Sequence, residues 1–511
     1  MKLQKSKRIL KKINASKVYD VASFTPLSSA RLLSKKFKNN ILLKREDMQP
    51  VFSFKLRGAY NKISILKEKG SLTSVVAASA GNHAQGVAYA GKSLKINTTI
   101  VMPVTTPSIK VNSVKSMGAK VVLFGDTFDE AYTEALNIKK KLGAAFIHPF
   151  DDEEVIAGQG TIGKEILDDH KDPIEAIFVP VGGGGLLAGV GAYIKTVRPN
   201  IKLIGVEPEN AAGLKAALDA NRRVVLKEVG NFVDGAAVKQ VGKITFSIIK
   251  EWIDEVITVS IDEICASVED IFHETRTISE PAGALSLAGL KKVTKARGWK
   301  QKNIIAINSG ANLNFDRLSH IVERVQLGKN KEILLNVCIE EKEGSFRRFC
   351  RDLGKRMITE FNYRIDKEDN ASIFVACRVQ EGLSEKKHLL KDLRKKGYNP
   401  VDLSDNEMAK LHVKHMVGGR APERISSQGE LIFRVQFPER PGALMDFLTS
   451  LGDKWNITLF HYRNQGAAYG RVLIGFQVDR DQKSKLKAHL LKTGLPFWDE
   501  SSNSAYKAFL K

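Results

Sequence analysis

The stretch Ile177-Phe178-Val179-Pro180-Val181-Gly182-Gly183-Gly184-Gly185-Leu186 decides the fold. A short apolar run ends in four glycines, and apolar sequence resumes directly beyond them. Such a run, bounded by glycine, reads as a buried strand. Four glycines let the backbone curl its N–H groups around a phosphate without side-chain clashes. A flexible surface linker is the other reading, and the apolar segments on both sides oppose it.

The same texture recurs outward from this point. Residues 74–78, 98–102, 121–124, 176–181, 203–206 and 304–308 are short apolar runs bounded by Gly, Pro, Ser or Asn and separated by helix-like stretches. That alternation predicts buried parallel strands in a doubly wound α/β domain of two lobes, over residues 21–328. After Gly328 charged residues become dense and a repeat emerges. Strand 333–339 leads through Glu343-Gly344-Ser345-Phe346 to a helix ending at Leu353-Gly354, then to Phe361-Asn362-Tyr363-Arg364. Strand 431–437 leads through Arg440-Pro441-Gly442-Ala443-Leu444 to a helix ending at Leu451-Gly452, then to Phe460-His461-Tyr462-Arg463. Further strands follow at 372–379 and 471–478, so two copies of a small β-α-β-rich unit are expected at 333–404 and 430–501.

Composition narrows the class. At 511 residues the chain exceeds a single core. Hydrophobic residues make up 43% and charged residues 27%, as in soluble globular proteins. No apolar run reaches the roughly 18–20 residues a membrane span needs. Cys265, Cys338, Cys350 and Cys377 form no C-x-x-C pair and have no histidine cluster, which points to free thiols in a reducing cytoplasm and to no metal site. The net charge of +23 is spread along the chain with no aromatic-basic module, so a nucleic-acid partner is not expected. Residues 1–20 hold seven Lys/Arg and one acid and read as a basic N-terminal arm, helical or disordered.

Three further motifs carry chemistry. In Ser53-Phe54-Lys55-Leu56-Arg57-Gly58-Ala59 the lysine sits between aromatic and aliphatic neighbours. Partial desolvation there lowers an amine pKa and makes it a usable nucleophile, although a lysine in such a setting is usually a surface residue with a snorkelling stem. Ser79-Ala80-Gly81-Asn82-His83 lies between a strand and a helix, where free N–H groups and the helix dipole suit a carboxylate or phosphate. Asn82 offers a neutral donor to a phenolate-like oxygen. Ser309-Gly310-Ala311-Asn312 places a hydroxyl at a strand end. Gly158-Gln159-Gly160-Thr161-Ile162-Gly163-Lys164-Glu165 satisfies G-x-G-x-x-G, but Glu165 stands where a P-loop needs Ser or Thr, and an acidic segment precedes it. Both nucleotide readings fail there.

In this order the motifs resemble the fold-type II pyridoxal-phosphate family. Lys44-Arg45-Glu46-Asp47-Met48-Gln49-Pro50 running into Ser53-Phe54-Lys55 is similar to its threonine/serine dehydratases, and the C-terminal repeat resembles the tandem ACT-like α+β pair of the biosynthetic threonine deaminases. The resemblance implies pyridoxal 5'-phosphate as cofactor. Lys55 matches the lysine that holds it covalently, Asn82 the donor to its ring oxygen, Gly182, Gly183, Gly184, Gly185 and Leu186 its phosphate cradle, and Ser309 the partner of its pyridine nitrogen. Ser79, Ala80, Gly81, Asn82 and His83 match the loop for the substrate carboxylate. Serine racemases of this fold carry a serine as second base where this chain has Ala80, which favours elimination over racemisation. The implied activity is conversion of L-threonine, and also L-serine, to a 2-oxo acid and ammonia: 2-oxobutanoate from threonine, at the committed step of isoleucine biosynthesis. The repeats imply inhibition by isoleucine, opposition by valine, and a homotetramer. Phe346, Arg356, Tyr363, Leu444 and Tyr462 are candidate effector contacts, the apolar and aromatic ones reading equally as core.

Overall fold

The computed structural model describes residues 4–70, 72–230, 232–328 and 331–510, except 341, 343, 355, 365–369, 407, 410–412, 414–415, 417, 420–428, 439–442, 453–454, 464–468 and 479–481. Part of the second repeat's turn, at 440–442, therefore lies outside the described residues, as does position 343 of the first. The chain divides into two compact units, Met1–Gly328 and Lys329–Lys511.

Among its described residues the first unit has ten strands: β1 (Leu27–Ser29), β2 (Asn40–Arg45), β3 (Ser74–Ala78), β4 (Asn97–Met102), β5 (Lys120–Leu123), β6 (Ala145–Phe146), β7 (Ala176–Pro180), β8 (Lys202–Pro208), β9 (Glu255–Val259) and β10 (Asn303–Asn308). They form a four-stranded sheet, β5-β4-β3-β6, and a six-stranded sheet, β1-β2-β10-β7-β8-β9. All neighbours are parallel except β1 with β2. Each of the six strands expected from the apolar runs is present. The expectation of burial fails at β5, an edge strand whose Leu123 is 47% exposed. β2 carries no apolar signature at its end, because Lys44 and Arg45 occupy it, yet it lies beside β10 and is buried.

The basic N-terminal segment does not stand apart as an arm. Gln4–Asn14 is a helix whose Ile9 and Ile13 are buried in the core shared with helices Glu153–Asp169 and Gly185–Val197. Its charges stay on the outer face, where Arg8 pairs with Glu153, and Lys12 with Glu153 and Glu154. An apolar residue every fourth position turns a basic segment into a packed helix.

The G-x-G-x-x-G stretch lies inside helix Glu153–Asp169, and its glycines serve close helix packing. A Cβ on Gly158 would stand 2.7 Å from the Arg57 carbonyl oxygen, and one on Gly160 would stand 2.4 Å from Ile13 Cδ1. From the facing helix, a Cβ on Gly189 would stand 2.3 Å from Ile156 O. Helices Lys55–Glu68 and Gly185–Val197 are thereby drawn against the same helix.

That packing encloses a charge cluster. Lys44, Glu46, Arg57 and Glu165 are each 0% exposed. Arg57 donates from Nε to Glu46 Oε2 (2.8 Å), from Nη2 to Glu46 Oε1 (2.8 Å) and from Nη1 to Glu165 Oε1 (2.5 Å). Lys44 Nζ donates to Glu165 Oε2 at 2.5 Å. Burial pushes the Glu46 carboxyl up, but the Arg57 guanidinium outweighs it and holds the group below the usual carboxylate range.

Among its described residues the second unit carries one eight-stranded antiparallel sheet: β11 (Glu332–Glu340), β12 (Ile358–Arg364), β13 (Asn370–Arg378), β14 (Val401–Asp402), β15 (Glu430–Pro438), β16 (Asn456–Arg463), β17 (Tyr469–Gln477) and β18 (Phe497–Asp499), in the order β14-β11-β13-β12-β16-β17-β15-β18. Helices Ser345–Leu353, Leu383–Lys395, Ala443–Leu451 and Lys483–Lys492 share one core with it. The repeats join through β12 and β16 in the register Phe361↔Tyr462, Asn362↔His461, Tyr363↔Phe460. The pairing is symmetric about a local twofold between the equivalent residues Asn362 and His461, with Phe361 facing Tyr462 and Tyr363 facing Phe460.

Removing one partner of a buried ion cluster leaves an uncompensated charge. Glu165→Ala is therefore expected to destabilise the first unit by about 3–5 kcal/mol, read as an earlier urea midpoint in near-UV circular dichroism. An unchanged midpoint would show that the cluster does not hold the fold.

Candidate active site

Four segments meet around Lys55. Helix Lys55–Glu68 begins at the lysine itself. Just before it, the Phe54 N–H donates to the Ser309 carbonyl at 3.3 Å, Ser53 bridges to Gly310, and the Ala311 N–H donates to Phe52 O at 2.9 Å. The turn requires a left-handed Phe52, at φ 55°. Helix Asn82–Leu94 crosses the start of the lysine helix at Gly86, where a Cβ would stand 3.0 Å from the Lys55 carbonyl carbon. This close approach brings the asparagine loop to the lysine.

The fourth segment is the glycine turn after β7, which meets Lys55 through residues 147–151. Lys55 Nζ donates to Pro149 O at 3.1 Å. The Phe150 ring fills the space a Cβ on Gly183 would need, 2.3 Å away. Asp151 accepts the N–H groups of Lys243, Ile244 and Thr245, and Thr245 Oγ1 in turn donates to Gly183 O at 2.8 Å. His83 Nε2 donates to Ile147 O at 2.8 Å. Residues 147–151 thus anchor both the amine and the glycine turn. Sequence reading missed them; the one signal was an acidic stretch following a proline.

The electrostatics suit a nucleophilic amine among neutral donors. Lys55 opens partly to the cleft, yet burial lowers its pKa to about 8, against a smaller upward pull from Glu280. Burial, helped by the Lys55 charge, brings His83 down to about 3, so its imidazole is neutral; its buried Nδ1 has no hydrogen-bond partner. Asn82 Nδ2 donates to Glu280 Oε1 at 2.6 Å. Burial, then Asp234, raises Glu280 to about 7. Ser309 is buried, and its hydroxyl donates to Ala282 O at 3.3 Å.

Pyridoxal phosphate fits these residues. Gly184 has φ 91°, and helix Gly185–Val197 starts directly after it. The N–H groups of Gly182, Gly183, Gly184, Gly185 and Leu186 meet no protein acceptor among the described residues, so a phosphate can take them. In the asparagine loop the Ser79 N–H is engaged by Val101 O and the Gly81 N–H by Ser79 Oγ. The N–H groups of Ala80, Asn82 and His83 meet no acceptor among the described residues. The loop thus offers fewer free donors than its five residues suggest.

The effector candidates lie in the second unit. Phe346, Tyr363, Leu444 and Tyr462 are core residues. The Phe346 ring stands 4.9 Å from Tyr363 and 5.1 Å from Phe460, centroid to centroid. Arg356 is half-buried, donating to Glu385 Oε1 (3.2 Å) and Leu353 O (2.5 Å). No group of three or more potential metal ligands occurs among the described residues.

A partly desolvated lysine at a helix start, beside a glycine turn, a neutral asparagine and a buried serine, defines a pyridoxal-phosphate-dependent enzyme. Residues 18–310 match the model of the pyridoxal-phosphate-dependent enzymes, and residues 323–413 and 423–510 match the C-terminal regulatory domain of threonine dehydratase. The biosynthetic L-threonine dehydratase of Burkholderia multivorans is 48% identical over 98% of this chain and 99% of its own. The mitochondrial threonine dehydratase of Saccharomyces cerevisiae is 46% identical over 97% of this chain and 88% of its own. The solved structure of processed threonine deaminase isoform 2 from Solanum lycopersicum superposes with a TM-score of 0.61 at 49% identity, over 62% of this chain and 93% of that one. The chain belongs to the biosynthetic threonine dehydratase family.

A methyl group on Gly183 would displace the Phe150 ring and disturb the phosphate cradle. Gly183→Ala is expected to weaken uptake of pyridoxal 5'-phosphate by the apoprotein about tenfold, the equivalent of one charge-assisted hydrogen bond. Absorbance titration measures this; wild-type uptake would contradict the cradle assignment.

Proposed function

We propose that this chain dehydrates and deaminates L-threonine to 2-oxobutanoate and ammonia, with isoleucine as feedback inhibitor. The observation that carries the reading is the Lys55 amine, depressed to about 8 and set among the asparagine loop, the glycine turn and Ser309. L-Serine is a second substrate, since it differs only by a methyl group.

The residues divide the work. The N–H groups of Gly182, Gly183, Gly184, Gly185 and Leu186 would hold the cofactor phosphate, Asn82 Nδ2 would donate to its ring oxygen, and Ser309 Oγ would meet its pyridine nitrogen. When bound, the cofactor supplies an electron sink for the pair left by the broken Cα–H bond. Ser309, being neutral, does not hold the ring nitrogen protonated as a carboxylate would, which suits elimination over transamination. The substrate carboxylate lies on the asparagine loop, where Ala80, Asn82 and His83 have free N–H groups. Lys55 Nζ takes the Cα proton, and Pro149 O orients the amine while it is free. Ala80 offers no second base, so the proton does not return from the opposite face.

The second unit makes this a regulated enzyme. Isoleucine inhibits and valine opposes it, with Arg356 the charged contact among the candidates. The apolar candidates act by shaping the core rather than by presenting a surface. A homotetramer carries the signal between subunits. The described cysteines are all free, which suits a reducing cytoplasm. No helix among the described residues is long and apolar enough to cross a membrane.

Formation of 2-oxobutanoate from threonine, with and without isoleucine, tests the reading. Removing residues 329–511 should leave turnover and abolish isoleucine inhibition; full inhibition of the shortened chain would refute the regulatory part. A base must be unprotonated, so kcat should rise with pH through about 8. A preference for O-acetylserine with sulfide would refute the substrate.

A further inference from the structure

Asn82 is held from the far side of the cleft. It follows β3 of the four-stranded sheet, whereas Glu280 caps helix Pro281–Arg297 against the six-stranded sheet and Asn312 follows β10 of that sheet. Asn82 Nδ2 donates to Glu280 Oε1 at 2.6 Å, and Asn82 Oδ1 accepts from Asn312 Nδ2 at 2.6 Å. Both holders are themselves fixed. Asn312 Nδ2 also donates to Val51 O at 2.8 Å, and the Glu280 N–H donates to Gly310 O at 3.1 Å. The Glu280 carboxylate passes so close to Gly310 that a Cβ there would lie 2.6 Å from Oε1.

An amide can sit either way round unless its partners discriminate between oxygen and nitrogen. Here they do. Val51 O can only accept, so Asn312 must turn its NH2 towards it and towards Asn82; the Asn82 oxygen then faces Asn312, and the Asn82 NH2 faces Glu280, whose Oε1 accepts. One N–H of Asn82 remains. We infer that Glu280 and Asn312 are positioning residues that lock the Asn82 amide from the opposite lobe, leaving its single free N–H for the cofactor's ring oxygen. This rests on the assignment of Asn82 to that oxygen and adds the reason its amide presents a donor there rather than an acceptor. Replacing Glu280 by glutamine removes the discrimination while keeping the volume, because glutamine can donate to the Asn82 oxygen.

The test uses the full-length chain and reads the cofactor rather than turnover. Two quantities are measured for Asn82→Ala, Glu280→Gln, Asn312→Ala and the Asn82→Ala/Glu280→Gln double variant. They are the pH titration of the bound pyridoxal 5'-phosphate absorbance band and the affinity of the apoprotein for added cofactor. A hydrogen bond to a charged or strongly polar group corresponds to about a tenfold change in affinity. Glu280→Gln and Asn312→Ala should each weaken uptake by about that factor and move the band's titration midpoint in the direction Asn82→Ala moves it. The double variant should be no worse than Asn82→Ala alone, because Glu280 acts through Asn82. Asn312→Ala tests the lock from its other end should Glu280→Gln fail to fold. Wild-type bands and affinities in both single variants, with Asn82→Ala altered, would overturn the lock and leave the Asn82 assignment standing. Additive losses in the double variant would also overturn it. An unaltered Asn82→Ala protein would overturn the assignment itself and the lock with it.

Discussion

The buried charges of Lys44, Glu46, Arg57 and Glu165 are the constraint on which the catalytic unit depends. Arg57 lies two residues after Lys55 on the first turn of its helix, so whatever fixes Arg57 fixes the lysine. Glu46 follows directly on β2, and Glu165 comes from helix Glu153–Asp169, so one guanidinium ties a strand and two helices together. Such a cluster contributes little net stability relative to apolar residues of the same shape, but it tolerates only one arrangement, since any other leaves a charge unpaired. The glycines of the neighbouring helix complete this by allowing backbone-distance packing at Gly158 and Gly160.

From that base the site is assembled by carbonyls and amides more than by charged side chains. Residues 147–151 bring the lysine acceptor Pro149 O, the ring that shapes the glycine turn, and the cap of helix Lys243–Ile249 into one short segment. The groups around the amine are neutral or nearly so: a low-pKa histidine, an asparagine, a serine and a glutamate near 7. In such surroundings an amine of pKa about 8 can change protonation state within the working pH range.

Much of this was legible in the sequence because it depends on local pattern. Short apolar runs bounded by Gly, Pro, Ser or Asn marked β3, β4, β7, β8 and β10, and the segments carrying Lys55, Asn82, the four glycines and Ser309 come together around the lysine. β2 was hidden because its charged end is neutralised by Glu165 and Asp47, partners distant in sequence or in a following turn. The N-terminal segment stayed open between a helix and a disordered arm because its seven basic residues masked the apolar pair Ile9 and Ile13; it is a helix, and that pair packs it into the core. Glu280, Asn312 and residues 147–151 carried no role because their meaning is purely tertiary: each acts on a partner that the fold alone brings near. The repeats were visible, but their fusion into one sheet through Asn362 and His461 was not, since strand pairing between repeats leaves no local mark.

In the regulatory unit the described strands of both repeats form one continuous sheet, and residues of both repeats share its largest apolar cluster. All of this presupposes that Lys55 is the residue joined to the cofactor. Borohydride reduction of the holoprotein followed by peptide mapping tests that most directly. The pyridoxyl group should be found on the peptide containing Lys55 and on no other; a label on any other lysine, or none, would contradict the account.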